Sequence, residues 1–379
     1  MKNKDTYLVV TPFFPSKNSF VGSFVFDQLN EIRNQSDFNI KVVKVVSSFS
    51  VEKDYKYEGF DIVIFRVMDL PFFILPGIFN KLNTNRFKSF LKNKMINNIR
   101  ISHAHVSYPA SYLQNVLDCK KIVQHHGLDA LQLLNGRSNF IMKLQKNYLI
   151  RNTISQLNES DLNIGVSSLV LSKLREYPTY YPKDELVLYN GVNTSKFYPI
   201  KSDRNKIFTI GCVANFWEIK DQITLIKSTQ KILEDGNKIK LRMIGSGPTL
   251  KSCKKYVVKN NLSKYIVFEK EIAHKELNDF YNSIDLFVLP SYYEALGCVY
   301  LESWATNTPF IGIEGQGISE LIPEKEKKSF LADEQSTESL KDKILIAHNN
   351  NRNYAFLSKY DIEKTICNFL SSDIFVSFD

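Results

Sequence analysis

The 379-residue chain contains no run of about 18 consecutive apolar residues, which removes a membrane-spanning helix from consideration. Its longest candidate, PFFILPGIF from Pro71 to Phe79, is short and broken by Pro76. The opening segment MKNKDTYLVVTPFFPS turns polar again by Ser16, too soon for the apolar core of a secretory signal. Cysteines are few and scattered: Cys119, Cys212, Cys253, Cys298 and Cys367, with no Cys-x-x-Cys among them. An odd, unpatterned set argues against a disulfide framework or a zinc site and sets the expectation of a reduced, cytoplasmic protein. Neither Asp-x-Asp nor any His/Cys/Asp spacing suited to zinc or calcium occurs, so no metal and no cofactor is expected. Fixed-period repeats are also missing, which excludes solenoids and propellers.

Acidic residues are absent from a long stretch. Between Asp69 and Asp118 there is none, while Lys81, Arg86, Lys88, Lys92, Lys94 and Arg100 all fall inside. The net charge of +9 is correspondingly lopsided: up to Ser195 there are 24 basic and 16 acidic residues, a net of +8. Basic side chains interleaved with Phe and Leu suit an anionic lipid surface. A solvated basic helix beside a buried loop is the plainer alternative. Nothing resembling a nucleic-acid-binding module accompanies the charge, so nucleic acid is not an expected partner.

What remains is ordinary for a globular α/β protein: 44% apolar and 23% charged residues. Short β-branched runs alternate with helical patterns throughout. Strands are expected at Tyr7–Phe14, Ile40–Ser47, Asp61–Val67, Ser102–Val106, Lys121–His125, Leu162–Val166 and Glu185–Tyr189. A second series is expected at Ile207–Ala214, Lys240–Ile244, Ile266–Phe268, Leu286–Leu289 and Pro309–Gly312, with a weak member at Ser329–Ala332. Helices are expected at Phe24–Arg33, Gln222–Glu234 and about Tyr354–Phe369. Several strands are apolar throughout, as strands covered on both faces are. The alternation reads as two doubly wound, Rossmann-like domains meeting near Phe197–Asn205, residues 1–200 and 201–353, followed by a C-terminal helix and tail. Such sheets bind ligands beyond the carboxyl ends of their strands, so the expected site is the cleft between two facing sheets.

The most specific segment is PSYYEALGCVYLESWATNTPFIG, Pro290 to Gly312. A strand ends at Pro290, and Glu294, Gly297 and Glu302 follow at the start of a helix. Backbone N–H groups of Ala295, Leu296 and Gly297 would face a diphosphate at that helix N-terminus. A rise of ~1.5 Å per residue sets Glu302 roughly 8 Å beyond Gly297, a distance that suits a sugar at one carboxylate and a ribose at the other. Here the chain resembles the retaining family-4 glycosyltransferases of the GT-B fold, whose signature is two glutamates separated by seven residues in a PS-x-x-E-x-x-G context. The resemblance implies that Glu294 touches donor sugar hydroxyls and Glu302 the ribose hydroxyls.

Further elements follow in the family's order. TPFFPSKNSFVGSF resembles the glycine loop after the first strand and would place Gly22 near the donor phosphates; it is not the G-x-G-x-x-G of a dinucleotide site. QHHGLDAL resembles the H-G-x-D element, so His126 would reach the donor sugar, with Asp129 just beyond. SHAHVSYPA resembles an H-x-H segment; His103 reads as structural, and His105 is open between structure and function. LYNGVNTSKFYP resembles the interdomain segment. MIGSGP resembles the second domain's G-x-G-P loop, with Gly245 and Gly247 shaping the nucleotide pocket. VANFWEIKD stands where the family has G-R-x-x-x-x-K-G, so Lys220 would oppose the charge on the departing diphosphate, while Asn215 replaces the arginine. GQGISE, Gly315 to Glu320, stands where paired glycines are more usual.

The implied reaction is a metal-independent, retaining transfer from a nucleotide-diphosphate sugar to a glycan or lipid-linked glycan, as in bacterial surface polysaccharide synthesis. Departure of the nucleotide would be helped by Lys220 and the amides, with same-face attack by an acceptor hydroxyl. Two alternatives stand beside it. A GT-B sugar-nucleotide epimerase would need acid/base residues for proton transfer at C2, and a non-catalytic sugar-nucleotide-binding protein would fit the loss of the arginine.

Overall fold

The computed structural model describes residues 4–17, 19–70, 77–127, 140–201, 207–350 and 355–376. Asp129 and the Pro71–Pro76 part of the apolar segment lie outside them. Contacts divide the chain into two compact units: Met1–Asn190 with Thr365–Asp379, and Gly191–Lys364.

The first unit is built on an eight-stranded sheet. Its strands are β1 (Thr6–Thr11), β2 (Asn39–Ser47), β3 (Tyr55–Tyr57), β4 (Phe60–Val67), β5 (Ile99–His105), β6 (Lys120–His125), β7 (Leu162–Gly165) and β8 (Glu185–Val187). They lie in the order β3-β4-β2-β1-β5-β6-β7-β8. All pairings are parallel except β3 with β4. β3 was not expected from sequence: three residues are too few to show a pattern, and its place comes from a tight hairpin through Glu58 and Gly59, both at positive φ. Helices α1 (Ser23–Gln35), α2 (Asn80–Asn93), α3 (Ala110–Gln114), α4 (Phe140–Glu159) and α5 (Ser168–Arg175) connect the strands. Burial on both sides explains the apolar runs: Tyr7, Leu8, Val9 and Val10 of β1 are all fully enclosed.

The second unit carries six parallel strands: β9 (Phe208–Val213), β10 (Ile239–Ile244), β11 (Ile266–Glu269), β12 (Leu286–Val288), β13 (Phe310–Ile313) and β14 (Leu331–Ala332), in the order β11-β10-β9-β12-β13-β14. Its helices are α6 (Gln222–Glu234), α7 (Leu250–Lys259), α8 (Leu277–Asn282), α9 (Cys298–Ala305), α10 (Glu324–Phe330) and α11 (Thr337–Asn350). α9 is enclosed over most of its length, with Trp304 packed on Phe310 and Tyr360.

In each sheet the strand order reverses once, between β1 and β5 and between β9 and β12. At such switch points the loops leaving adjacent strands part in opposite directions and open a crevice at the carboxyl ends. One helix expectation needs correction. From about Tyr354 the chain is irregular where described, makes a 3-10 turn at Ser358–Tyr360, and only then enters α12 (Ile362–Leu370) and α13 (Asp373–Val376). Val192 pairs with Asp361 in a β-bridge, and that pairing holds Asp361 extended between the 3-10 turn and α12. Phe369 and Phe375 then join the first unit's core beside His103 and Phe38.

Candidate functional site

In the second unit the site residues gather where β9 and β12 diverge. Beyond β9 the chain passes Asn215 and Trp217, both exposed, and makes a 3-10 turn at Glu218–Lys220. Beyond β12 it runs through Tyr292 and Glu294 to Gly297, which precedes α9 at φ 79°. The Tyr292 N–H donates to the Ile219 carbonyl at 3.1 Å, tying the two loops together. Their side chains meet as well: the Lys220 ammonium donates to a Glu294 carboxylate oxygen, the two side chains being 21% and 13% exposed. Lys220 is thus a partly enclosed cation held by a carboxylate, not a surface lysine paired with Asp221.

A third loop fixes the segment before α9. The Gln316 side-chain oxygen accepts from the Glu294 N–H at 2.9 Å, and the Gly317 N–H donates to the Glu294 carbonyl at 3.0 Å. A Cβ on Gly317 would stand 1.7 Å from the Ala295 carbonyl oxygen, so only glycine fits. With that support, the N–H groups of Ala295, Leu296 and Gly297 enter no backbone hydrogen bond with the described residues. They stand at the positive end of α9, as anion donors do. Glycine at 297 is required by the fold itself. Besides its left-handed φ, a Cβ there would meet the Tyr300 ring at 2.7 Å.

Gly245 and Gly247 follow β10 at φ 141° and 147°. An added Cβ would strike the carbonyl oxygens of Ala214 at 2.0 Å and of Phe216 at 2.5 Å. The Phe216 N–H also donates to the Ser246 carbonyl at 2.7 Å. Their direct effect is therefore to let the β10 loop press against the β9 loop that carries Asn215 and Lys220.

Glu302, on α9, is 7% exposed, and both of its oxygens are engaged. One faces His274 Nε2 at 3.0 Å and the other accepts from the Tyr281 hydroxyl at 2.8 Å. Phe197, from the NGVNTSKFYP segment, packs edge-on against the rings of both His274 and Tyr281. Burial, followed by the Glu302 charge, holds the Tyr281 hydroxyl well above its ordinary range, so it stays a donor. Neither His274 nor Tyr281 was anticipated, because no local spacing links them to Glu302.

The first unit has its own cluster at the β1/β5 switch point. Gly22 precedes α1 at φ 89°, and a Cβ there would lie 2.6 Å from the Phe13 carbonyl carbon. Glycine thus folds the β1–α1 loop back on itself. Phe24, two residues on, has its ring centroid 4.5 Å from that of His126. His105 ends β5 and His126 follows β6; their rings lie edge to edge and nearly coplanar, 12° apart with centroids 5.2 Å apart, and Nδ1 of His105 lies 2.9 Å from Nε2 of His126. His103 stacks on His105 at 4.3 Å and bonds the Tyr7 hydroxyl at 2.6 Å. Burial, then the neighbouring imidazoles, depresses His105 and His126 well below the usual histidine range and His103 to about 3. These rings are neutral at pH 7.

Residues 194–364 match the model for glycosyl transferases group 1. An uncharacterized glycosyltransferase of Methanocaldococcus jannaschii is 27% identical over 336 residues, 87% of this chain and 86% of its own. Sucrose-phosphate synthase from Thermosynechococcus elongatus superposes with a TM-score of 0.74 at 16% identity, covering 98% of this chain and 97% of that one. HepE of Anabaena, solved with UDP and glucose, gives 0.71 at 15% identity, covering 97% and 100%. These likenesses fix the fold as GT-B, two Rossmann-like domains of parallel α/β type.

Proposed function

We propose that this chain, a glycosyltransferase of the GT-B fold whose residues 194–364 belong to the glycosyl transferases group 1 family, moves a hexose from a nucleotide-diphosphate sugar to a glycan or lipid-linked glycan with retention at the anomeric carbon. The observation that carries this reading is the Lys220–Glu294 pair beside the uncommitted N–H groups of Ala295, Leu296 and Gly297. A cation and three amide donors around one point make a receptor for a diphosphate, with a carboxylate set to bind hydroxyls of the attached sugar. HepE, the GT-B neighbour solved with UDP and glucose, is consistent with that occupant.

In this reading the bond between the anomeric carbon and the diphosphate oxygen breaks first. The electron pair leaves with the nucleotide, and Lys220 with the amides stabilises the charge that develops. The acceptor hydroxyl attacks from the same face through an oxocarbenium-like state, and its proton passes to the departing diphosphate oxygen. Glu294 binds hydroxyls and is not a nucleophile. Glu302 holds the ribose, aimed by His274 and Tyr281; each of its oxygens retains a second lone pair for that purpose. His126 is assigned to the donor sugar by the resemblance of QHHGLDAL to the H-G-x-D element. Because the charge on the diphosphate is met by protein groups, the transfer needs no metal ion.

A panel of UDP-, GDP- and ADP-hexoses, each scored for thermal stabilisation and for sugar release, tests this directly. One donor is expected to stabilise the protein and be turned over. Lys220→Met and Glu294→Gln should each cut turnover by about 10²–10³, the usual cost of losing a charge-stabilising contact. The product's anomeric proton coupling should match that of the donor. Inversion, or variants with full activity, would reject the assignment.

A further inference from the structure

The segment between β11 and α8, in the second unit, has no part in the transfer scheme, yet it is anchored at both ends. Glu269, the last residue of β11, is paired with the Arg242 guanidinium, and His274 meets Glu302 at 3.0 Å. A third anchor lies between them. The Ser246 hydroxyl, in the glycine loop after β10, donates to Oε1 of Glu271. On this support the polar groups of the segment stay uncommitted. Neither the N–H nor the carbonyl of Glu271 or Ile272 enters a hydrogen bond with the described residues. Glu271 is exposed, and unlike Glu269 it has no cation among those residues within ion-pair distance.

A nucleotide with its diphosphate at Ala295–Gly297 and its ribose at Glu302 carries its base beyond Glu302. Two residues flank that carboxylate. Tyr281 is fully buried, so the base cannot lie on its side, whereas the His274 side chain is 19% exposed. Glu271 stands three residues before His274, at most about 10 Å along the chain. We infer that Glu271, held by Ser246, selects the base of the donor nucleotide and that this base is guanine; the choice rests on the reading of Glu302 as the ribose residue. Backbone groups alone do not discriminate, because an N–H and a carbonyl can meet any base. An ionised carboxylate only accepts. The Watson–Crick edge of guanine carries two adjacent donors, N1–H and the N2 amino group, which match the two oxygens of a carboxylate in a bidentate, charge-assisted pair. Beside them O6 accepts, as an uncommitted backbone N–H requires. Uracil has one donor, N3–H, between two carbonyl oxygens, and adenine has an amino group beside the N1 lone pair. Either base would set a lone pair against the carboxylate. Ser246 occupies one lone pair of Oε1, which leaves the second and both of Oε2 for the base.

Binding of free nucleoside diphosphates to the full chain, followed by calorimetry, reads the base without any transfer step. GDP is expected to bind at least about tenfold more tightly than UDP or ADP, the scale of one charge-assisted hydrogen bond. Inosine diphosphate keeps N1–H and O6 and lacks only the N2 amino group. It should bind at least about fivefold more weakly than GDP. In Glu271→Gln, whose amide oxygen can still accept from Ser246, the preference for GDP over UDP should fall below about threefold. UDP affinity should stay within about threefold of native, which also shows that the variant is folded. UDP or ADP bound as tightly as GDP by the native protein would overturn the inference, and so would a guanine preference that survives Glu271→Gln. Turnover of a UDP-hexose by a protein that prefers UDP would sink the base assignment alone and leave the transferase reading standing. Guanine preference without transfer from any donor would do the reverse. A protein that binds no nucleoside diphosphate would reject the donor site and this inference with it.

Discussion

Two glycines of one loop show how differently the same residue type can be required. Gly315 has a left-handed φ of 76°, yet a Cβ there would find no atom within 4 Å. Gly317 has no such φ, but a Cβ would overlap the Ala295 carbonyl oxygen. Gly315→Ala should therefore cost only backbone strain, about 1–2 kcal/mol. Gly317→Ala must push residues 294–296 away and break the bond from its own N–H to Glu294, which displaces the N–H groups proposed to hold the diphosphate. Sugar-nucleotide binding followed by calorimetry should be unchanged in the first variant. In the second it should weaken by at least about tenfold, the equivalent of losing one charge-assisted hydrogen bond. Equal binding by both would show that the 294–297 segment does not hold the donor. The sequence pattern GQGISE could mark this loop as glycine-bearing, but nothing local reveals that Gly317 abuts a residue more than twenty positions earlier.

At the scale of elements, the sheets were legible because their strands are covered on both faces and so read as apolar runs. Every strand except β3 was anticipated, within about three residues at either end. Boundaries slipped where tertiary contacts decide them: Asp361, ahead of α12, is held extended by pairing with Val192, and Ser329 and Phe330 finish α10 rather than begin β14. The Glu294–Glu302 register was legible because it is local to one strand–loop–helix unit. The His274–Tyr281–Glu302 triad and the His105–His126 bond were not, since each joins elements that only the topology brings together. One departure from the family pattern has a measurable consequence. Asp221 occupies the position after the lysine, where a glycine is usual, and adopts φ 46°, ψ 37° at the head of α6. Asp221 is 8% exposed as a residue, and its Oδ2 has no hydrogen-bond partner among the described residues. Burial raises its pKa, against the opposing pull of Thr224 and Lys227. A raised value in the folded state means that the native protein holds the proton more tightly. The group's contribution is complete below the ordinary 3.8 and is lost as pH rises through the folded value, so at pH 7 it is a liability. Asp221→Gly relieves both the strain and the buried charge. It should stabilise the protein by about 1 kcal/mol at pH 7, or about 2–4 °C in Tm, with the gain shrinking toward pH 4. A lower Tm at pH 7 would mean that the carboxylate has a bonding role in the fold.

At the scale of the whole molecule, the charge imbalance belongs to one unit and there largely to one helix. The six cations between Asp69 and Asp118 are not equivalent once folded. Lys94 pairs with Asp54 at 2.6 Å, Arg100 pairs with Asp5 at 3.4 Å, and Arg86 lies over the Phe65 ring. Lys81, Lys88 and Lys92 remain, all exposed on α2, with exposed Leu82 on the same helix and Ile78 just before it. Among the described residues no helix is long and apolar enough to cross a membrane, so any lipid contact made by these elements is lateral. Without an ion-pair partner among the described residues, three lysines at about 1 kcal/mol each over an anionic bilayer, with one or two aliphatic side chains dipping into the interface, would give weak, salt-sensitive attachment. Such attachment suits an enzyme whose acceptor is carried on lipid and whose donor is dissolved. Flotation with vesicles containing about a third anionic lipid should recover the native protein at low salt and release it as ionic strength approaches about 0.5 M, where screening shortens to a few ångströms. Lys81→Glu, Lys88→Glu and Lys92→Glu combined should abolish flotation while leaving donor hydrolysis intact, because none of the three is among the residues of the proposed donor site. Retained flotation in the triple variant would move the membrane face elsewhere. Absence of flotation by the native protein at any salt would make the acceptor a soluble glycan.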